Sequence, residues 1–91
     1  MKELNINLTD NETKLLELCL TYDDRENQLI DNYTSCTFKD VMKALNWNAF
    51  QVGGLLSSLI TKHLIDGDQD DFYITEQGVN AIFDIIELKN N

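Results

Sequence analysis

Three lysines, Lys39, Lys43 and Lys62, stand in the only stretch of this chain that is not acidic, and a lysine ammonium is a group that neutralises phosphate. Between and beside them run Asn48, Phe50, Gln51, Gly53, Gly54, Ser57, Ser58 and Thr61, a set able to read base edges or to seat a partner's surface. Residues 37–65 hold these lysines against Asp40 alone, for +2, whereas residues 1–35 and 66–91 carry −5 and −6. A polyanion would therefore approach through the middle third, since the rest of the surface repels it at long range. Read more plainly, the same lysines are ordinary solvated charge.

The glycine pair is more informative than the lysines. A glycine inside a helix costs about 1 kcal/mol relative to alanine, so two in succession imply that some backbone comes close. Phe50 beside them reads as a knob for another protein, as a base-edge contact, or as a cover over the loop after residue 22. Elsewhere the chemistry is thin. Asp66, Asp68 and Asp70 imitate the first ligands of a calcium loop, but Asp71 and Gln77 occupy the positions that need glycine and a bidentate glutamate, so a solvated acidic turn is expected. His63 has no partnered nucleophile nearby, and no nucleophile elbow, zinc-protease helix or phosphate-binding glycine loop occurs. Cys19 and Cys36 lack metal-ligand spacing and are expected to pack as small apolar groups. Neither an enzyme, nor a cofactor, nor a metal site is expected.

Four amphipathic patterns must position the middle third. Thr9-Asp10-Asn11-Glu12 is a capping box opening a helix to about Tyr22, with Leu15, Leu18, Cys19 and Tyr22 on its core face. Before it, residues 1–8 alternate as an extended segment through Leu4, Ile6 and Leu8. Residues 23–36 read as a polar loop ending in a short strand at Tyr33-Thr34-Ser35-Cys36. A second helix of about two turns starts at Thr37-Phe38 and carries Val41, Met42 and Leu45 inward. Asn48 caps a third, whose core face is Val52, Leu55, Leu56, Leu59 and Ile60 and which ends near His63. With 100° per residue, Phe50, Gly54, Ser57 and Thr61 point directly outward, flanked by Gln51, Gly53 and Ser58. Leu64 to Ile74 reads as a β-hairpin with its tip at 66–71, and Val79, Ile82, Phe83 and Ile86 line the core face of a last helix.

Ninety-one residues with net charge −9 and 43% hydrophobic content describe one small domain with a packed core rather than a disordered acidic tail. No apolar run approaches the roughly 20 residues of a membrane span, and residues 1–5 lack a signal-type apolar stretch, so a cytoplasmic location is expected.

The order helix, strand, helix, tight turn, helix, hairpin, helix, mainly α with a small β-hairpin wing (α+β), is that of a winged helix-turn-helix domain. Leu45-Asn46-Trp47-Asn48, then Val52, Leu55, Leu59 and His63-Leu64-Ile65, resembles the recognition-helix segment of MarR-like winged-helix regulators. Tyr73-Ile74-Thr75-Glu76-Gln77-Gly78 resembles the strand-to-helix exit of the same family, and the likeness spans about residues 9–88. It implies a DNA-binding transcriptional regulator that meets double-stranded DNA, weakly or within a larger assembly, through its third helix. This chain departs from the pattern at the acidic wing tip, Asp68-Gln69-Asp70-Asp71, and at His63, where glycine is common. The rival expectation is an acidic winged-helix module whose Phe50, Gly53, Gly54 and Ser57 face docks a protein, or a DNA-mimicking inhibitor. Ala81, Ile85 and Leu88 on the last helix and Leu16 and Leu20 on the first fall off the core faces, which suggests a homodimer through the terminal helices. Packing against Leu4, Ile6 and Leu8 within one chain would cover the same stripes.

Overall fold

A computed structural model describes residues 8–31, 35–68 and 70–89. Of the expected amino-terminal extended segment only Leu8 is among them, packed against the core, and Tyr33 and Thr34 of the expected strand fall outside them. The described chain is mainly helical, with one antiparallel hairpin.

Helix α1 spans Asp10–Leu18 and begins as its sequence dictates. The Glu12 amide donates to the Thr9 hydroxyl (3.1 Å) and the Thr9 amide to Glu12 Oε1 (2.9 Å), which satisfies two otherwise orphaned donors. The helix stops at Cys19, short of the expected Tyr22. The cause is Gln28, whose buried Oε1 accepts from the amides of Thr21 (2.8 Å) and Tyr22 (2.9 Å) and draws them away from helical acceptors. Gln28 belongs to a short helix α2, Arg25–Ile30, inside the segment expected to be loop. Asp24 caps it by accepting from the Asn27 amide (3.1 Å), and Arg25 ties it to the last helix through Asp84 (2.7 Å) and Glu87 (3.0 Å).

Helix α3, Phe38–Leu45, and helix α4, Ala49–Thr61, are joined by a tight turn in which Asn46 takes the left-handed conformation at φ 56°. Thr37 and Asn48 cap them by accepting from the amides of Asp40 (3.2 Å) and Gln51 (2.9 Å). At the end of α4 the Leu64 amide donates to the Leu59 carbonyl (2.9 Å) and the His63 amide to that of Ile60 (3.0 Å), with His63 at φ 64°. This is a Schellman ending with histidine in the place glycine usually takes.

Strands β1 (Ile65–Gly67) and β2 (Phe72–Ile74) pair antiparallel in the register Ile65 with Ile74, Asp66 with Tyr73 and Gly67 with Phe72. Asp66 and Gly67 are thus in the ladder, and the tip is narrower than 66–71. Cys36 exchanges both backbone hydrogen bonds with Phe72 (2.7 and 2.9 Å), so the expected preceding strand is present in the described residues as a single bridge. Helix α5, Glu76–Lys89, packs tightly where it leaves the hairpin: a Cβ on Gly78 would stand 2.2 Å from the Leu64 carbonyl oxygen.

Leu15, Val52, Leu59, Phe72, Ile74 and Ile82 lie at the centre of the core, while Leu18, Leu45 and Leu55, also expected there, are half-buried around it. Leu16 and Ala81, expected to be left over for a partner copy, are instead buried inside the chain. Helix α1 is packed by α4 on one side and by α5 on the other, so it needs two apolar faces rather than one. Leu20 and Ile85 are half-buried and Leu88 exposed, which leaves only part of the expected dimerisation stripe on the surface. Among the described residues no helix is long and apolar enough to cross a membrane.

Candidate binding face on α3 and α4

The outward face of α4 is bare. Phe50 is 93% exposed, and Gln51, Gly54, Ser57 and Thr61 are exposed with it, while Gly53 at the flank is half-buried. Phe50 therefore does not cover the loop after residue 22. Among the described residues no neighbour explains either glycine, because a Cβ at either position would meet nothing within 4 Å. Their helix cost, about 1 kcal/mol each relative to alanine, has no internal return. Thr61 donates its hydroxyl hydrogen to the Ser57 carbonyl (2.9 Å), so the polar groups along this face are partly turned onto their own backbone.

The polar residues on the other side of α4 are engaged. Ser58 donates to Glu12 Oε2 (2.8 Å), and the Lys62 ammonium sits 2.9 Å from Oε2 and 3.2 Å from Oε1. Glu12 is 3% exposed, so this carboxylate is a buried anchor of α4 against α1. Burial pushes its carboxyl up, but the Thr9 amide, Lys62 and Ser58 outweigh it and hold it below the ordinary 4.5. Ser58 and Lys62, expected at the binding face, thus have structural partners. Glu12 was legible in sequence only as the second half of a capping box. Nothing in local spacing places it beside residues far along the chain.

Lys39 and Lys43 are exposed on α3, and Lys43 lines an open hollow of about 540 Å³ with Leu18, Cys36, Asp40 and Ala44. Asn48 is exposed and accepts at the N-cap, so it is first a helix-starting residue. Gln51 stands one residue beyond Phe50, free of the core.

The hairpin tip is spent on itself. Asp68 Oδ1 accepts from the amides of Asp70 and Asp71 (3.0 Å each), and Asp66 accepts from the Gly67 amide (2.8 Å) and the Tyr73 hydroxyl (3.1 Å). These are the bonds of a turn, with carboxylates facing solvent. His63 lies in a second open hollow, about 420 Å³, beside Thr75 and Glu76. The Thr75 hydroxyl donates to the His63 backbone carbonyl (2.7 Å) and accepts from the Gly78 amide (3.0 Å), so it is a cap for α5 rather than an activated nucleophile. The structure brings Phe50, Gln51, Gly54, Ser57 and Thr61 onto one exposed face and turns Ser58 and Lys62 toward α1.

No protein-family model matches this chain, and no curated protein and no solved structure matches it either.

Proposed function

We propose that this chain is a winged-helix interaction module that docks a protein partner through the outward face of α4, with Phe50 as the anchor. The α3, turn, α4 unit followed by the hairpin and α5, with Cys36 bridged to Phe72, supports the winged helix-turn-helix reading; α2 is an addition to that pattern. The exposure of Phe50 carries the proposal. An aromatic side chain 93% exposed beside two glycines with open space above them is costly in water and costly to the helix, and a partner that buries the ring and approaches the bare backbone offsets both. The chain's net charge of −9 selects against nucleic acid and in favour of a partner with basic residues at the rim.

A second reading, weak binding of duplex DNA as a regulator, is favoured by the exposure of Lys39 and Lys43 one turn apart on α3 and of Gln51 on α4. With Lys62 held by Glu12, two lysines rather than three face a backbone, and the slope of log K against log salt is then no steeper than about −2 per protomer.

One pair of measurements separates the readings. A photo-reactive phenylalanine analogue at position 50 of the full chain, expressed in its native cells, should give an adduct with one protein, and the same analogue at the exposed position 17 of α1 should not. Duplex DNA at low salt should leave the amide signals of residues 47–62 in place. Shifts of Lys39, Lys43 and Gln51 with that salt slope, and no adduct at position 50, would overturn the protein-docking reading and establish the DNA one.

A further inference from the structure

Asp66 is followed by Gly67, and no other aspartate or asparagine in the chain precedes a glycine. The pair closes strand β1, with both residues exposed. Cys36 and Phe72 exchange both of their backbone hydrogen bonds, which turns the backbone groups of Phe72 away from β1. By the alternation of an antiparallel ladder, Gly67 opposite Phe72 is then a non-hydrogen-bonded pair, and the Gly67 amide faces out of the sheet. It donates instead to Asp66 Oδ1 at 2.8 Å, while the Tyr73 hydroxyl donates to Oδ2 at 3.1 Å. The Asp66 carboxyl is thus held against the main-chain nitrogen of the next residue.

We propose that Asp66-Gly67 is a site of spontaneous backbone modification, at which the Asp66 carboxyl condenses with the Gly67 nitrogen to a succinimide that opens to isoaspartate. A side chain at position 67 would screen that nitrogen, and glycine has none. The fold also requires the glycine: its φ is 113°, and a Cβ there would stand 2.5 Å from the Asp71 carbonyl oxygen. The turn that needs Gly67 therefore retains the reactive pair. Asp68, Asp70 and Asp71 share the tip but precede Gln69, Asp71 and Phe72, whose side chains shield their nitrogens.

The chemistry needs only water. The Gly67 nitrogen adds to Asp66 Cγ, the N–Cγ bond forms, and Oδ2 departs as water with the amide proton and one proton from solvent. The charge of the carboxylate is lost in that step. Water then adds to one of the two ring carbonyls. At Cγ it breaks the new bond and restores aspartate; at the Asp66 main-chain carbonyl carbon it breaks the original bond to Gly67, so that the chain runs on through Cγ. A free α-carboxylate remains, and one proton returns to solvent. No electrons are exchanged, and the mass is unchanged. Ring closure requires Asp66 to rotate so that the nitrogen meets Cγ instead of donating to Oδ1, a motion open to the exposed end of a three-residue strand. The product inserts a methylene between the Asp66–Tyr73 and Gly67–Phe72 rungs and removes the carboxyl that Tyr73 holds.

The test is to age the full-length native chain in warm, mildly acidic buffer beside the same chain in urea. Peptides are then mapped by mass, and isoaspartate is counted by enzymatic methylation of its free α-carboxylate with labelled S-adenosylmethionine. Isoaspartate should appear at position 66 ahead of every other aspartate, preceded by a species one water lighter that hydroxylamine traps. Its rate in the native chain should lie within about tenfold of that in urea, because the end of a short exposed strand opens at little cost. Asp66→Glu, which would have to close a larger ring, should abolish the signal. The proposal is overturned if the native chain forms no isoaspartate at position 66, if another aspartate matches it, or if Asp66→Glu leaves the methylation count unchanged.

Discussion

The Lys62 ammonium reaches back from the end of α4 to Glu12 in the first turn of α1, 2.9 Å from Oε2, joining two helix ends 50 positions apart. The Glu12 carboxyl sits below its ordinary 4.5 in the folded chain, so its contribution to stability is fully present above that value and is lost as pH falls through the lower folded value. Thermal melts between neutral and strongly acidic pH should show this loss for the wild type. Glu12→Gln should cost about 1 to 2 kcal/mol at neutral pH, discounted because Lys62 is partly solvated, and the gap from wild type should narrow below pH ~4. An unchanged gap at every pH would show that the charge contributes nothing.

Two glycine-to-alanine changes should act in opposite directions. Gly54→Ala places a Cβ in open space on an exposed helix and should raise stability by about 0.5 to 1 kcal/mol in urea titrations. Gly78→Ala drives a Cβ to 2.2 Å from the Leu64 carbonyl oxygen, where backbone must move, and should cost about 3 kcal/mol or more. If Gly54→Ala also weakens the adduct formed at position 50, the bare helix face is part of the docking surface.

His63→Gly should stabilise the chain by about 1 kcal/mol. The residue is held at φ 64°, where a Cβ is penalised and glycine is not. Differential scanning calorimetry checks this, and a lower melting temperature would mean that the imidazole makes a compensating contact.

Gln28→Met keeps the bulk of a fully buried side chain but removes the acceptor for the Thr21 and Tyr22 amides. A loss of about 2 kcal/mol is expected, with faster amide exchange at those two residues. Unchanged exchange there would mean that other groups satisfy them.

What was legible in the sequence was local. Thr9 with Glu12, Thr37, and Asn48 with Gln51 announce their helix starts because the capping bond spans three residues, and the hairpin is readable because its ladder joins Ile65 with Ile74, Asp66 with Tyr73 and Gly67 with Phe72, all within one short stretch of sequence. Helix α2 was illegible for the opposite reason. Its one buried residue is a glutamine, and Arg25 meets Asp84 and Glu87 from 59 and 62 positions away. A helix held by polar contacts at that range leaves no apolar period to read. Leu16 and Ala81 were placed on the surface by a rule that gives each helix one buried stripe, and α1 lies between two helices. At the candidate site the outward set of Phe50, Gly54, Ser57 and Thr61 follows from helical angle alone, whereas the engagement of Ser58 and Lys62 by Glu12 needed the third dimension.

The acidic hairpin tip has a consequence for colloidal behaviour. Among the described residues β1 is the outer strand of the two-stranded sheet, and an outer strand is a template on which a second chain can add itself by edge-to-edge pairing. Here that strand is three residues long, and exposed Asp66, Asp68, Asp70 and Asp71 crowd its end, so two approaching copies meet like charge before their backbones can pair. The same carboxylates that make the tip a poor seat for nucleic acid guard it against polymerisation. That protection is pH-bound: near the pI of about 4.2 the repulsion between molecules disappears, and the chain becomes most prone to stack through this edge.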